Sequence, residues 1–262
     1  MAAGMKCKLW QGDCFQLMGK IQDKSVDAVI SDPPYGTTDL FWDTKIDLLR
    51  FWQEIERVCK DTAVIVLFSQ QPFTTDLINS QRKWFRYEII WHKSLAVGWL
   101  SANHRPLRAH ENILVFARRF QGSTYNPQKE QGYKPYVSKH TGSVAHYGRQ
   151  RDWPSVSRSI GGERYPRSVL HFSNGGYTRA NPRLHPTQKP LALLEWLVRS
   201  YTNPGDVVLD PFMGSGSTDE ACLKQQRWFV GIETEPEYFH LAQVCLHSYC
   251  SHPQVTATEN HV

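Results

Sequence analysis

Ser31-Asp32-Pro33-Pro34-Tyr35-Gly36 sets a carboxylate, two rigid prolines and an aromatic ring directly behind the apolar run Val26-Asp27-Ala28-Val29-Ile30. Each proline fixes its φ and lacks an N–H, so the carbonyls of Asp32 and Pro33 can point outward as acceptors on a stiff backbone. Asp32 adds a charged acceptor beside them, and Tyr35 adds a flat face on which a heterocycle can stack. A planar group with two N–H donors on a π ring fits such a holder, and the exocyclic amines of nucleobases are groups of that kind. The same residues also read as a Pro-Pro turn capped by Asp with a buried Tyr, because short motifs recur by chance.

The elements that must position this loop can be traced from the pattern. Residues 26–30 read as a buried strand whose carboxyl end delivers the loop, where open α/β sheets place their chemistry. A second strand over 206–210 ends on Asp210 and the turn Pro211-Phe212-Met213-Gly214-Ser215-Gly216-Ser217-Thr218, with a helix-compatible segment at 219–226. Gly214 and Gly216 let backbone approach a ligand closely, and a helix amino end favours an anionic group. The next strand, 228–232, ends at Glu233, the position from which a Rossmann-like sheet grips ribose hydroxyls. Together these features point to a nucleoside cofactor.

Periodicity supplies the remaining elements. A helix over 46–59 is expected to pack Leu48, Leu49, Trp52, Ile55 and Val58 on the sheet. Strands are expected at 63–68, 87–91 and 112–116, and helices at 191–201 and 236–249. Near the start, a strand ends in Gly12-Asp13 and leads into a helical turn, which Asp13 can simply cap.

In this order the motifs resemble the β-group of DNA amino-methyltransferases. The residues that carry the resemblance are Asp32-Pro33-Pro34-Tyr35-Gly36, then His185-Pro186-Thr187-Gln188-Lys189-Pro190, then the Asp210 to Thr218 turn, and finally Gly231-Ile232-Glu233 with Tyr238 after it. The likeness extends from about Gly12 to Tyr238, and the motifs stand in the family's permuted order, catalytic half first. The resemblance implies a Rossmann-like, S-adenosylmethionine-dependent methyltransferase sheet with circularly permuted motif order. It also implies transfer of a methyl group to N6 of adenine or N4 of cytosine in double-stranded DNA. Asp32, Pro33, Pro34 and Tyr35 would then be catalytic, with Asp32 also near the cofactor. Asp13 and Cys14 would lie beside the cofactor's adenine, and His185, Thr187 and Lys189 around its methionine end. Asp210, Pro211, Phe212, Gly214, Ser215, Gly216, Ser217, Thr218 and Glu233 would complete the cofactor site. Ser217 stands where the family often has Thr, which keeps the hydroxyl. Asp32 stands where cytosine-N4 enzymes more often carry Ser, which favours adenine; the alternatives are a cytosine-N4 enzyme or a catalytically silent nucleic-acid-binding module. The segment 37–44 would be a mobile lid near the target base. Lys189, read without the resemblance, is one more DNA-facing charge.

Composition bounds the rest. With 262 residues and 40% hydrophobic content the chain can bury one α/β core plus an insertion. No apolar run approaches membrane-spanning length, and Met1-Ala2-Ala3-Gly4 begins no signal peptide. The six cysteines show no C-x-x-C spacing, so neither zinc nor a disulfide framework is expected, and the setting reads as reducing and cytoplasmic. His92, His104 and His110 with Glu111 lack metal-ligand spacing, so no metal is expected; the resemblance implies that strand-end groups such as His92, Lys93, His110 and Glu111 surround the target-base pocket, and they are expected as satisfied polar groups at its edge.

The net charge of +5 is uneven, because residues 118–189 carry 13 Lys and Arg against 3 Asp and Glu, a local balance of +10. Such a segment faces a polyanion. Periodicity is lost between 120 and 183, yet Tyr125, Tyr133, Tyr136, Tyr147, Trp153, Tyr165 and Tyr177 argue against plain disorder. Arg149, Arg151 and Trp153, Arg164 and Arg167, and Lys129, Lys134 and Lys139 are the candidate DNA contacts. The expected organisation is a catalytic half at 1–117, a target-recognition insertion at 118–183, a cofactor half at 184–250 and a flexible tail at 251–262. A homodimer is compatible with the resemblance, but no stretch marks an interface.

Overall fold

The computed structural model describes residues 7–36, 45–140, 155–174 and 188–251. The expected lid at 37–44, together with His185, Thr187, Arg149, Arg151 and Trp153, lies outside the described residues.

The elements in chain order are β1 (Cys7–Gln11), α1 (Cys14–Met18), β2 (Val26–Ser31), α2 (Leu48–Val58), β3 (Cys59–Ser69), α3 (Phe73–Ser80) and β4 (Phe85–Val97). A 3-10 turn (Trp99–Ser101) leads to β5 (Arg108–Ala117), β6 (Tyr136–His140), β7 (Ser155–Ser159) and β8 (Val169–Phe172). The chain then forms α4 (Leu191–Tyr201), β9 (Val207–Asp210), α5 (Ser217–Lys224), β10 (Trp228–Glu233) and α6 (Pro236–Ser251). Eight strands make one sheet in the order β1-β10-β9-β2-β3-β5-β4-β8. Pairing is parallel from β1 through β3, antiparallel on both sides of β5, and parallel again between β4 and β8.

Two apolar layers cover the sheet. Met18, Phe51, Trp52, Ile55, Phe73 and Leu77 bring α1, α2 and α3 onto one face. Leu193, Leu197, Ala221 and Ala242 bring α4, α5 and α6 onto the other. The connection after β2 therefore runs over one face and the connection after β9 over the other. These two strands are neighbours, so their carboxyl ends open a crevice where the sheet changes hands.

The expected inward face of α2 needs one correction: Leu49 is 73% exposed, and Phe51 is buried in its place. The buried stripe runs Phe51, Trp52, Ile55, Val58, and Leu49 lies well round the helix from it. Asp47 caps α2 by accepting from the Arg50 N–H at 3.1 Å. Strand β8, which no periodicity announces, is held at the sheet edge by β4, where the Trp91 indole N–H donates to the Phe172 carbonyl at 2.9 Å.

Residues Pro127–Arg167 form a second compact unit. Its centre is the β6–β7 ribbon, paired antiparallel in the register Val137↔Arg158 and Lys139↔Val156. The Arg164 guanidinium lies over the rings of Tyr136 (4.4 Å) and Tyr133 (5.3 Å) and donates to Ser159 Oγ at 2.9 Å and the Lys134 carbonyl at 2.6 Å. Among the described residues no helix is long and apolar enough to cross a membrane, and no group of three His, Cys, Asp or Glu side chains could hold a metal ion.

Candidate active site

Strands β2 and β9 pair at Ala28↔Val208 and Val29↔Leu209, so the loops that leave them start side by side. Ser31 Oγ donates to Asp210 Oδ1 at 2.5 Å, and the Phe212 N–H donates to the same oxygen at 3.1 Å. Burial pushes the Asp210 carboxyl up to about 6, against the hydrogen bonds from Ser31, Thr218 and Phe212.

Asp32 emerges one residue beyond Ser31 with both oxygens engaged. The Tyr35 hydroxyl donates to Oδ1 at 2.6 Å, and the Lys189 ammonium donates to Oδ2. Lys189 Nζ also lies 3.5 Å from Glu111 Oε2, and Glu111 Oε1 accepts from Lys93. Lys93, Glu111, Lys189 and Asp32 thus form a row of alternating charge. Lys189 sits 5.0 Å above the Phe68 ring and Lys93 4.9 Å above Trp91. Burial pushes the Asp32 carboxyl above the ordinary range, with the Lys189 ammonium and the Tyr35 hydroxyl pulling it back. Burial alone would raise Glu111, but the Lys189 and Lys93 ammoniums hold it below that range. For Lys189, burial works to lower the ammonium, and the two carboxylates more than offset it. Lys189 is only 8% exposed, so it is no solvent-facing charge waiting for DNA. The Tyr35 ring stacks on Phe73 with centroids 5.3 Å apart, which fixes its plane at the cavity wall.

The glycine turn after β9 forms the other end. Glu233 Oε2 accepts from the Gly214 N–H and Oε1 from the Glu235 N–H, both at 2.8 Å, so backbone donors fix this carboxylate. Gly216 has φ +88°, and a Cβ there would lie 2.9 Å from Asp219 Oδ1 and 3.0 Å from the Ala242 methyl. Asp13 caps α1 by accepting from the Gln16 N–H at 2.9 Å and also faces the cavity. Cys14 lines it as well, its thiol pushed up to about 12 by burial, so it packs rather than reacts.

One cavity of about 930 Å³ joins the two ends. It brings together Asp32, Pro33, Pro34, Tyr35 and Lys189 with Asp13, Cys14, Asp210, Pro211, Phe212, Gly214, Ser215, Ser217, Thr218 and Glu233. Arg105, Arg108, Lys93 and Glu111 also line it. Sequence reasoning passed over both arginines, although Arg105-Pro106-Leu107-Arg108 belongs to a stretch from 94 to 110 that contains no acid. Of the expected DNA contacts, Lys134, Lys139 and Arg167 are exposed. Lys129 lies 3.8 Å from Glu163 and 5.1 Å above Tyr165, and Arg164 is committed to the two tyrosines.

The profile of the DNA methylase family N6_N4_Mtase matches residues 26–244. The chain belongs to this family of DNA methylases. It is 30% identical over 243 residues to the DNA adenine methyltransferase YhdJ of Escherichia coli K12, covering 88% of this chain and 79% of that protein. It is 28% identical over 257 residues to the type II methyltransferase M.HpaI of Haemophilus parainfluenzae, covering 93% and 75%. Among solved structures, the M1.HpyAVI–SAM complex superposes with a TM-score of 0.65 at 25% identity, covering 92% of this chain and 98% of that one. The cytosine-N4-specific PvuII methyltransferase superposes at 0.63 with 15% identity, covering 90% and 85%, and shares the Rossmann-like sheet of such methyltransferases.

Proposed function

We propose that this protein transfers a methyl group from S-adenosylmethionine to N6 of adenine in duplex DNA, acting on a base turned out of the helix. The observation that carries the reading is Asp32, fixed between Tyr35 and Lys189 at one end of a cavity whose other end is the Glu233 carboxylate and the glycine turn. The donor set suits the cofactor: the Glu233 carboxylate is oriented by two backbone N–H groups for ribose hydroxyls, and Gly214, Ser215, Ser217 and Thr218 of the turn line the same cavity. The cavity volume suits a nucleoside cofactor together with a base.

When bound, S-adenosylmethionine supplies an electrophilic methyl group. The chain's own residues have to make the amine reactive, because its lone pair is delocalised into the ring. The Asp32 carboxylate and the Pro33 carbonyl would accept the two amino hydrogens, drawing nitrogen toward tetrahedral geometry and aiming the lone pair in line with the methyl. Stiff positioning of this kind supplies much of the rate. For the amine to reach Asp32, one resting partner must give way. Lys189 has a second carboxylate, Glu111, only 3.5 Å away, so it can lean there without losing its counter-charge. Asp32, which burial has made a better proton acceptor than an ordinary carboxylate, would take the proton that the amine must lose on methylation. Turning the base out is required in a duplex, and Tyr35, backed by Phe73, provides the surface it would stack on.

The test incubates the purified protein with unmethylated bacterial DNA and methyl-labelled S-adenosylmethionine, then digests to nucleosides and identifies the labelled species by mass. N6-methyladenine is the expected product. N4-methylcytosine would keep the clamp and overturn the choice of base, and unlabelled DNA would overturn the activity.

A further inference from the structure

Between β4 and β5 the chain leaves the sheet as an arm. Gly98, with φ +96°, turns it into the 3-10 segment, where Trp99 is 73% and Leu100 103% exposed. The tip is a formed knob, closed by N–H to carbonyl bonds from Ser101 to Gly98, from Ala102 to Trp99 and from Arg105 to Ser101, at 3.0–3.1 Å. Val97, Arg105 and Arg108 then line the same cavity as Asp32 and Tyr35, so the arm stands at the cavity's mouth. Arg105 and Arg108 make no ion pair or side-chain hydrogen bond among the described residues; burial and the Arg105 guanidinium work against the Arg108 charge, and Glu111 and Tyr35 favour it only from a distance. Two unpaired cations side by side form a vacant place for anions.

A large indole and a leucine fully in water beside two unpaired arginines call for one occupant that is apolar in one part and anionic in another. A duplex from which a base has been turned out is such an object: the gap has two exposed base faces and is flanked by phosphates. A second copy of this chain is a poor match, since a two-fold contact through the arm would set arginines against arginines. We propose that the arm from Gly98 to Arg108 grips the opened duplex, with Trp99 and Leu100 filling the place of the extruded base and Arg105 and Arg108 holding the flanking phosphates at the cavity mouth. This inference rests on the base-turning reading above.

The experiment uses the full chain on a short duplex carrying the recognition site mapped from DNA methylated by the wild-type protein. If the wild type labels no duplex DNA, the activity reading fails, an outcome distinct from a failure of the arm to grip. Trp99→Ala with Leu100→Ala should slow methylation of the fully paired duplex about tenfold or more, the loss of stacking on a base face. The rate should recover when the target base faces a mismatch, because its extrusion is then already easy. Trp99→Phe should keep most of the paired-duplex rate. An unchanged rate on the paired duplex, an equal loss on both duplexes, or a fall from dimer to monomer in sedimentation would each overturn the filling role. Arg105→Gln with Arg108→Gln should flatten the salt dependence of DNA binding by roughly two in log–log slope. An unchanged slope would overturn the phosphate contacts.

Discussion

Asp32 rests with no oxygen to spare, and this sets what its neighbours must do. Asp32→Ala should reduce methyl transfer about a hundredfold or more while cofactor binding, followed by titration calorimetry, stays measurable; retained turnover would sink the clamp. Lys189→Met leaves Asp32 as an uncompensated buried charge while Glu111 keeps Lys93, and removing one member of a buried set costs about 3–5 kcal/mol of stability. Adding Asp32→Asn should restore part of that loss in a double-mutant cycle, whereas simple additivity would mean the two residues do not act together. Asp219 carries a different signature: both carboxylate oxygens are buried without a hydrogen-bond partner, and burial pushes the carboxyl well above its ordinary value of 3.8. The unfolded chain gives up that proton at lower pH than the folded one, so stability falls as pH rises between the two values. Asp219→Asn removes this titration, so its Tm relative to the wild type should rise as pH climbs above the ordinary carboxylate value of 3.8; a constant gap would refute the assignment. Asp32, Tyr35 and the glycine turn were legible because each motif is contiguous in the chain. Glu111 was legible as a satisfied group at a pocket edge but its pairing with Lys189 was not, since the two lie 78 residues apart in the chain.

At the scale of elements, strand β10 shows how tightly the turn is built on its neighbours. A Cβ on Gly231 would fall 2.3 Å from Met213 Sδ and 2.5 Å from Phe229 Cε1. Gly231→Val should therefore cost about 1–3 kcal/mol by overpacking, read as a lower Tm. Because Met213 sits in the turn itself, cofactor affinity should fall in step. Unchanged affinity in the destabilised variant would separate strand packing from the site. Strong apolar periodicity made α4 readable to the residue, from Leu191 to Tyr201. It misled at α2, where Leu49 lies round the helix from the buried stripe. It gave no hint of β8, a short edge strand whose place is fixed by β4 rather than by its own pattern.

For the whole molecule, the uneven charge was visible at once in the sequence, whereas the surface that presents it depends on strand register. On the β6–β7 ribbon, Lys139 and Arg158 share a face with Val137 and Val156, and all of them are exposed. The opposite face is partly covered by Arg164. Lys139→Gln with Arg158→Gln should weaken DNA binding and lower its salt slope by roughly two, while leaving methylation rates at saturating DNA nearly unchanged; an unaltered slope would place the phosphates elsewhere. The strand order has a further consequence during synthesis. Strands β10 and β9 lie between β1 and β2, and the hydrogen bond from Ser31 to Asp210 closes a span of 179 residues. At about 5–20 residues per second a ribosome needs roughly ten to forty seconds to travel from the first partner to the second. Throughout that interval the Asp32 carboxylate exists without the glycine turn that faces it across the cavity, and the nascent sheet keeps two edges waiting for strands not yet made. A translation product that stops short of Val207 should therefore be a substrate for proteolysis and never an unregulated methylase.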